Sequence, residues 1–277
     1  MIDFSSHDPR LLDSIGLIVD EIVRQAQVDA DRLMVIGAVA RDVIHSSLGH
    51  AAPLRATHDA DLAIAMDDYS AFAGIDATFT RLSHTGIRYS IAGVPVDVMP
   101  FGGIEDPAGV ASPSPRNEEL SVFGFADVFA AAATVALPTG VDVRIPTPAG
   151  YAVLKARAWI DRSPTGEYKD AQDLATCLWW YSESEAITEM LWSTESETRL
   201  LESVDFQVER AAARVLGRDM RAILHPAHTS DLIERWGALD LQRLVRELKT
   251  PAGINWITDP ATREAIAADM IAGLRGE

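Results

Sequence analysis

The spacing of apolar residues divides the chain into two parts of different character. Up to residue 146, short apolar runs alternate with amphipathic stretches, a pattern typical of strands that alternate with helices. From residue 147 onward, apolar residues recur mainly at three- and four-residue spacing, which predicts helices. We therefore predict an α+β fold, with a sheet-containing core over residues 1–146 and an all-helical domain over residues 147–277.

Glycines and prolines mark the boundaries of the predicted core elements. These elements are a helix over 8–27, a strand at 33–36, a helix over 38–48, a strand at 59–66, a helix over 69–82, a hairpin at 87–101 with its turn near Gly93, and a strand at 141–145. Residues 102–118, which include Ser112-Pro113-Ser114-Pro115, predict a surface loop. Residues 123–137 are alanine-rich, and their pattern fits helix and strand equally well.

The predicted helices of the second part begin at Pro148, because proline is well tolerated in the first turn of a helix. They cover 148–162, 168–182, 185–193, 197–216, 230–249 and 260–274.

The amino-acid composition excludes several classes of protein. The 277 residues include 41 acidic and 24 basic side chains, a net charge of −17, and 48% are apolar, which excludes a fully disordered chain. Residues 1–150 alone carry a net charge of −11. This balance argues against a general nucleic-acid binder, since backbone phosphates are held by clustered lysine and arginine. The single cysteine, the absence of a secretory signal and the lack of long apolar runs lead us to expect a cytoplasmic protein with no membrane span.

The most informative polar feature is Asp59-x-Asp61 on a predicted strand. Residues two apart on a strand face the same side, so both carboxylates point towards one site. Asp97 adds a third acid on a neighbouring predicted strand. Carboxylate oxygens suit Mg²⁺, and three of them on adjacent strands are compatible with a two-metal site. The alternative is a solvated edge strand without a metal.

A glycine turn precedes these acids. Gly37 and Ala38 end one strand and begin a helix, where backbone N–H groups and the positive end of the helix dipole favour phosphate. A glycine turn of this kind is equally common where no phosphate binds. It therefore indicates a phosphate site only in combination with the acids.

Several short motifs occur in order over residues 36–101: Gly37-Ala38, Arg41-Asp42, Arg55-x-Thr57-x-Asp59-x-Asp61 and Asp97. Together they resemble the DNA polymerase β-type nucleotidyltransferase superfamily, and within it the AbiEii and MenT type of toxin nucleotidyltransferases. Gly-Ala-x-x-Arg-Asp is also similar to the tRNA CCA-adding enzymes. The resemblance implies a mixed-sheet nucleotidyltransferase core, an NTP such as ATP bound at Gly37, Ala38, Arg41 and Thr57, and two Mg²⁺ ions held by Asp59, Asp61 and Asp97. Ala38 departs from the family, which usually has serine or glycine there, so a hydroxyl contact to phosphate is lost.

A second stretch extends the resemblance into the helical part. Lys155 and the segment Lys169-Asp170-x-x-Asp173-Leu174 resemble family segments that contribute a phosphate-contacting lysine and a further acid. The resemblance implies catalytic and nucleotide-binding roles for Lys155, and nucleotide-binding roles for Asp170 and Asp173. The alternatives are a helix lysine paired with Asp161 or Glu167, and acids that complement a helix dipole.

Four arginines recur at spacings of four, four and three, and form one stripe if their helix continues past Gly217: Arg210, Arg214, Arg218 and Arg221. Such a stripe could contact tRNA phosphates, or it could be a solvated face paired with Glu209 or Asp219. His45 and His50 flank a predicted helix end, where interaction with the dipole accounts for them.

We therefore expect a Mg²⁺-dependent nucleotidyltransferase that moves an NMP, or a short run of nucleotides, from an NTP to an acceptor hydroxyl. The resemblance implies the tRNA 3′ end as acceptor, and a toxin role in a toxin–antitoxin or phage-defence system with a cognate antitoxin as partner. The acidic balance suits a small molecule or a protein side chain better as acceptor. A non-catalytic regulatory member of the same fold is the alternative from a different class.

Overall fold

A computed structural model describes residues 4–55, 57–114 and 119–277. The chain forms two compact units, the first ending at Thr147 and the second running over Pro148–Glu277. Within the described residues, no helix is both long enough and apolar enough to cross a membrane.

The first unit is built on a mixed sheet of seven strands in the order β3-β4-β5-β2-β1-β9-β8. The strands are β1 (Leu33–Ile36), β2 (Ala60–Met66), β3 (Thr80–Arg81), β4 (Arg88–Ile91), β5 (Val94–Gly102), β8 (Ala133–Ala136) and β9 (Asp142–Ile145). Strand β2 pairs parallel with β5 and antiparallel with β1, and β1 pairs parallel with β9. All four residues of the inner strand β1 are buried, which explains its uninterrupted apolar run. This architecture, together with the helical second unit, confirms the predicted α+β class.

Four helices accompany this sheet: α1 (Asp13–Ala26), α2 (Gly37–Ser47), α3 (Ser70–Thr78) and α4 (Phe125–Ala130). The alanine-rich stretch at 123–137 contains both structures that its pattern allowed, since α4 is followed by β8. The predicted loop at 102–118 contributes one strand, β6 (Val110–Ala111), which pairs with β7 (Leu120–Ser121). Residues 115–118 of that prediction lie outside the described residues.

The second unit is helical throughout its described elements. Its helices are α5 (Pro148–Arg162), α6 (Lys169–Ser182), α7 (Glu185–Leu191), α8 (Glu195–Ser203), α9 (Val208–Ile223), α10 (Pro226–Gly237), α11 (Leu241–Glu247) and α12 (Pro260–Arg275). Two predicted helices were wrong in extent, since 197–216 and 230–249 are each divided in two. The first break falls at Asp205 and Phe206, which both have a positive φ.

Helices α9 and α12 cross in backbone contact. A Cβ added at Gly217 would lie 1.9 Å from the carbonyl oxygen of Met270, and one added at Gly273 would lie 2.1 Å from that of Arg214. Only glycine at these two positions allows this approach. Helix α9 continues through Gly217, and all four arginines of the predicted stripe therefore lie on one helix.

Candidate active site

One row of residues crosses four neighbouring strands of the sheet. Asp97 on β5 is the register partner of Arg88 on β4 on one side and of Asp61 on β2 on the other, and Asp61 is the partner of Ile36 on β1. Register partners face the same side of a sheet, so Arg88, Asp97 and Asp61 share one face. The row ends where β1 gives way to α2, and Asp61 therefore lies beside the start of that helix.

Asp59 lies directly before β2, two residues from Asp61, and is partly exposed. Its carboxylate accepts hydrogen bonds from the hydroxyl of Thr57 and from Nη2 of Arg88, the latter at 3.1 Å. The Thr57 hydrogen bond is the largest cause of a lowered Asp59 pKa, and Arg88 lowers that pKa further against the opposing effect of burial. Thr57 therefore contacts Asp59, and the hydrogen bonds from Thr57 and Arg88 favour the charged form of this carboxyl group.

Arg88 joins two of the three acids. Its Nη1 donates to Oδ2 of Asp97 at 3.1 Å while its Nη2 donates to Asp59. The charge of Asp97 is the largest cause of the raised Arg88 pKa, followed among the raising effects by Asp59 and Asp61. Sequence reasoning missed this arginine, although a hairpin turn at Ala92 and Gly93 places residue 88 opposite residue 97 by counting alone. Arg88 neutralises one of the three negative charges on this face.

The donor chemistry of the three acids fits a hard divalent cation, since each offers carboxylate oxygens. Their present arrangement does not, because Arg88 occupies the space shared by Asp59 and Asp97. Across residues 4–55, 57–114 and 119–277, no three acidic, histidine or cysteine side chains form a metal-binding group. Metal binding by these acids thus requires Arg88 to move away first.

Gly37 permits the position of Asp61. It has a φ of +65°, and a Cβ at this residue would lie 1.9 Å from Oδ2 of Asp61. The carboxylate of Asp61 therefore lies against the first residue of α2, where it faces the positive end of the helix dipole. The same space is where the predicted phosphate contact to Gly37 and Ala38 would form, so Asp61 and a bound phosphate would be close neighbours.

Arg41 belongs to the same helix but is 2% exposed. Its guanidinium donates to the carboxylate of Asp42 at 2.9 Å and to the carbonyl oxygen of Arg55 at 2.7 Å. These contacts tie α2 to the loop that leads into Asp59. The structure thus places Arg41 in a buried position bonded to Asp42 and to the loop before Asp59, and its predicted contact with nucleotide stays a prediction.

Lys155 lies on α5 and is enclosed by acids from α6. Its Nζ is 3.1 Å from Oδ1 of Asp170 and 2.6 Å from Oδ2 of Asp173, and Arg162 reaches the other oxygen of Asp170 at 3.3 Å. Burial lowers the Lys155 pKa, but the charges of Asp173 and Asp170 more than offset this effect and the pKa is raised. The observed partners are thus the two predicted nucleotide-binding acids, whereas Asp161 pairs with Arg157.

The arginine stripe on α9 contacts groups of the second unit. Arg210 and Arg214 both donate to the buried Asp269, at 2.6 and 2.8 Å. Arg218 makes two hydrogen bonds with Glu197, and Arg221 donates to backbone carbonyls at the end of α12. Of the two acids proposed as partners, Asp219 acts on Arg218 through its charge, while the hydrogen bonds of the stripe to carboxylates go to Asp269 and Glu197. A cavity of about 270 Å³ beside the stripe is lined by Arg199, Arg214 and Arg218, among others.

Comparison with known proteins gives limited similarity. No protein-family model matches the chain, and no curated protein matches its sequence. Among solved structures, the chain is similar to an antigenic nucleotidyltransferase-like protein from Paracoccidioides brasiliensis. The two share 14% sequence identity with a TM-score of 0.38, over 74% of this chain and 94% of that chain.

Proposed function

We propose that the chain is a divalent-metal-dependent nucleotidyltransferase, which transfers an NMP from an NTP to an acceptor hydroxyl and releases pyrophosphate. The observation that carries the proposal is the pairing of Asp61 and Asp97 in register on adjacent parallel strands, with Asp59 joined to Asp97 through their shared partner Arg88. Carboxylates brought together in this way are costly to maintain unless a cation balances them. Their position beside the N-terminus of α2 supports a negatively charged substrate.

In the proposed reaction, the acceptor oxygen attacks the α-phosphorus, the bond to the bridging oxygen of the β-phosphate breaks, and the hydroxyl proton passes to water. Once Arg88 moves off Asp59 and Asp97, these two acids and Asp61 would hold Mg²⁺, which when bound supplies charge neutralisation for the triphosphate. The backbone N–H groups of Gly37 and Ala38 would bind a phosphate oxygen. Arg41 acts as a positioning residue, because it fixes the loop before Asp59 through the carbonyl of Arg55.

Arg88 favours a second candidate, a non-catalytic member of the same fold. Its bonds to Asp59 and Asp97 already balance part of the negative charge without a metal. In that case Arg88 would replace the cation permanently, and the chain would bind neither Mg²⁺ nor NTP.

The acceptor is a separate proposal. A tRNA 3′ end, with the toxin role and antitoxin partner that accompany it, needs basic groups for the RNA backbone. The arginines of α9 are engaged with Asp269, Glu197 and backbone carbonyls, which supports a hydroxyl on a small molecule or a protein as the better acceptor.

The direct experiment incubates the protein with each α-labelled NTP, Mg²⁺ and, in separate reactions, total RNA, the protein alone, or a panel of small hydroxylated compounds. Transfer of label to any acceptor supports the proposed activity and identifies the acceptor class. The absence of transfer in every reaction, together with no detectable binding of Mg²⁺ or NTP, would support the non-catalytic candidate instead.

A further inference from the structure

Two large aromatic side chains are exposed side by side in the second unit. Trp192 is 55% exposed and Phe206 is 53% exposed. Their rings are stacked, with centroids 6.0 Å apart and planes inclined by 13°. The other exposed large apolar side chains in the described residues, Leu17 and Leu82, belong to the first unit. Single exposed apolar residues are ordinary, but two exposed aromatic rings in contact form a surface that a partner can cover.

The local backbone holds Phe206 in this outward position. Asp205 and Phe206 have φ values of 55° and 56°, a left-handed conformation that is unfavourable for residues other than glycine. The turn is closed by a hydrogen bond from the Phe206 N–H to the carbonyl oxygen of Leu201, at 2.8 Å. Leu201 and Val204 fill the nearby core and are fully buried. The ring of Phe206 is therefore not needed in that core, and the turn directs it towards Trp192.

Acidic residues predominate in the chain segment that carries the aromatic pair. From Glu185 to Phe206 the chain has six acidic side chains and one basic side chain, a net charge of −5. Five of these acids are exposed: Glu185, Glu189, Glu195, Glu202 and Asp205. The single basic residue of this segment, Arg199, pairs with Glu195, and Arg218 of α9 pairs with Glu197, the sixth acid of the segment. This charge disfavours nucleic acid and anionic lipid surfaces, which would be repelled, and favours a cationic partner.

We propose that Trp192, Phe206 and the exposed acids of the same segment, residues 185–206, form a docking surface for an arginine- and lysine-rich segment of another protein. Aromatic faces attract guanidinium and ammonium groups, and the long apolar stems of these side chains cover ring surface that is otherwise exposed to water. The flanking carboxylates supply ion pairs for the charged ends.

The proposed binding is independent of nucleotidyl transfer, so it is tested on the full chain with short fluorescent peptides. The peptides have the same apolar content, and their net charge is graded from strongly negative to strongly positive. A single-stranded RNA oligonucleotide of similar length is included as a probe for nucleic acid. We expect anisotropy to report binding that strengthens with positive peptide charge and weakens with added salt.

Replacing both rings, Trp192→Ala with Phe206→Ala, is expected to weaken binding of the basic peptides by about tenfold or more. The matched control is Leu17→Ala, which removes an equally exposed apolar side chain from the first unit and should leave binding unchanged. Phe206→Tyr keeps the ring and should retain binding. Since both aromatic residues are exposed, the double variant should melt close to the wild-type temperature.

Three results would overturn the proposal. The first is a basic peptide affinity that is equal in the wild type and the double aromatic variant. The second is a preference for the acidic peptides or for the RNA oligonucleotide over the basic peptides. The third is no binding of the basic peptides at low salt.

Discussion

The carboxylate of Asp61 occupies the space where any residue but glycine at position 37 would place its Cβ. This relationship joins the central acid of the candidate site to the first residue of helix α2. It makes the glycine turn a requirement for the acid's position, in addition to any contact with phosphate.

The first prediction concerns this pair. Gly37→Ala should lower the free energy of unfolding by about 2–4 kcal/mol, because it combines a positive φ with a clash against Asp61. In the Asp61→Ala background the same substitution should cost at least about 1 kcal/mol less, since the carboxyl atoms at 1.9 and 2.6 Å are absent and only the Cβ of residue 61, at 2.8 Å, remains close. Urea unfolding of the four proteins in this double-mutant cycle measures the coupling. Equal costs in both backgrounds would show that the two residues are not in contact.

The second prediction concerns competition between Arg88 and a cation. Arg88→Gln removes the guanidinium from Asp59 and Asp97, so Mn²⁺ or Mg²⁺ should bind about tenfold more tightly by calorimetry. In the absence of metal, the same variant should be less stable by about 1 kcal/mol, a modest value because the groups are partly exposed. The control is Arg32→Gln, which removes a surface partner of Asp67 and should leave metal affinity unchanged. Unchanged metal affinity in Arg88→Gln would contradict the competition.

The third prediction concerns the buried cluster in the second unit. Lys155→Met should destabilise the protein by about 3–5 kcal/mol, because it leaves Asp170 and Asp173 buried without their shared cation. Arg199→Met provides the contrast, since Arg199 and Glu195 are both largely exposed. That variant should change stability by at most about 0.5 kcal/mol. Similar costs for the two substitutions in urea unfolding would rule out the buried ion-pair account.

The fourth prediction concerns pH. Burial lowers the pKa of His45 from 6.5 to about 4, with smaller effects from the charges of His50 and Arg41. Above pH 6.5 His45 is neutral in the folded and the unfolded protein, and the fold keeps its full stability. As the pH falls towards 4, the unfolded protein takes up a proton at this residue before the folded protein does, so the free energy of unfolding decreases. His45→Gln should therefore reduce the loss of stability over that range by up to about 3 kcal/mol. An NMR titration that finds His45 titrating near 6.5 would contradict this prediction.

Local patterns predicted much of the fold. The apolar run of β1, the glycine that follows it and the proline at the start of α5 each act within a few residues, so the strand and both helices begin where expected. The break between α8 and α9 was missed, because the left-handed residues there are Asp205 and Phe206, which carry no turn signal of their own.

The contacts of the candidate site that join residues distant in the sequence were not predicted. The same-face placement of Asp59 and Asp61 follows from strand geometry, whereas the bridge from Arg88 requires the hairpin register. His45 lies in the last turn of α2, as expected, but it is also buried, and burial lowers its pKa, which the local sequence pattern does not indicate. Asp269, which pairs with Arg210 and Arg214, lies far along the chain on α12, and no local pattern links it to them.

The central claim is that the acids on β2 and β5 carry nucleotidyl transfer. Its most direct test is the rate of label transfer from an α-labelled NTP by the wild type, Asp61→Asn and Asp97→Asn. Asp67→Ala is the control, since Asp67 is an exposed acid just after the same strand. We predict that both asparagine variants lose at least about a hundredfold in rate while the control retains it. Transfer by Asp61→Asn and Asp97→Asn at close to the wild-type rate would contradict the claim.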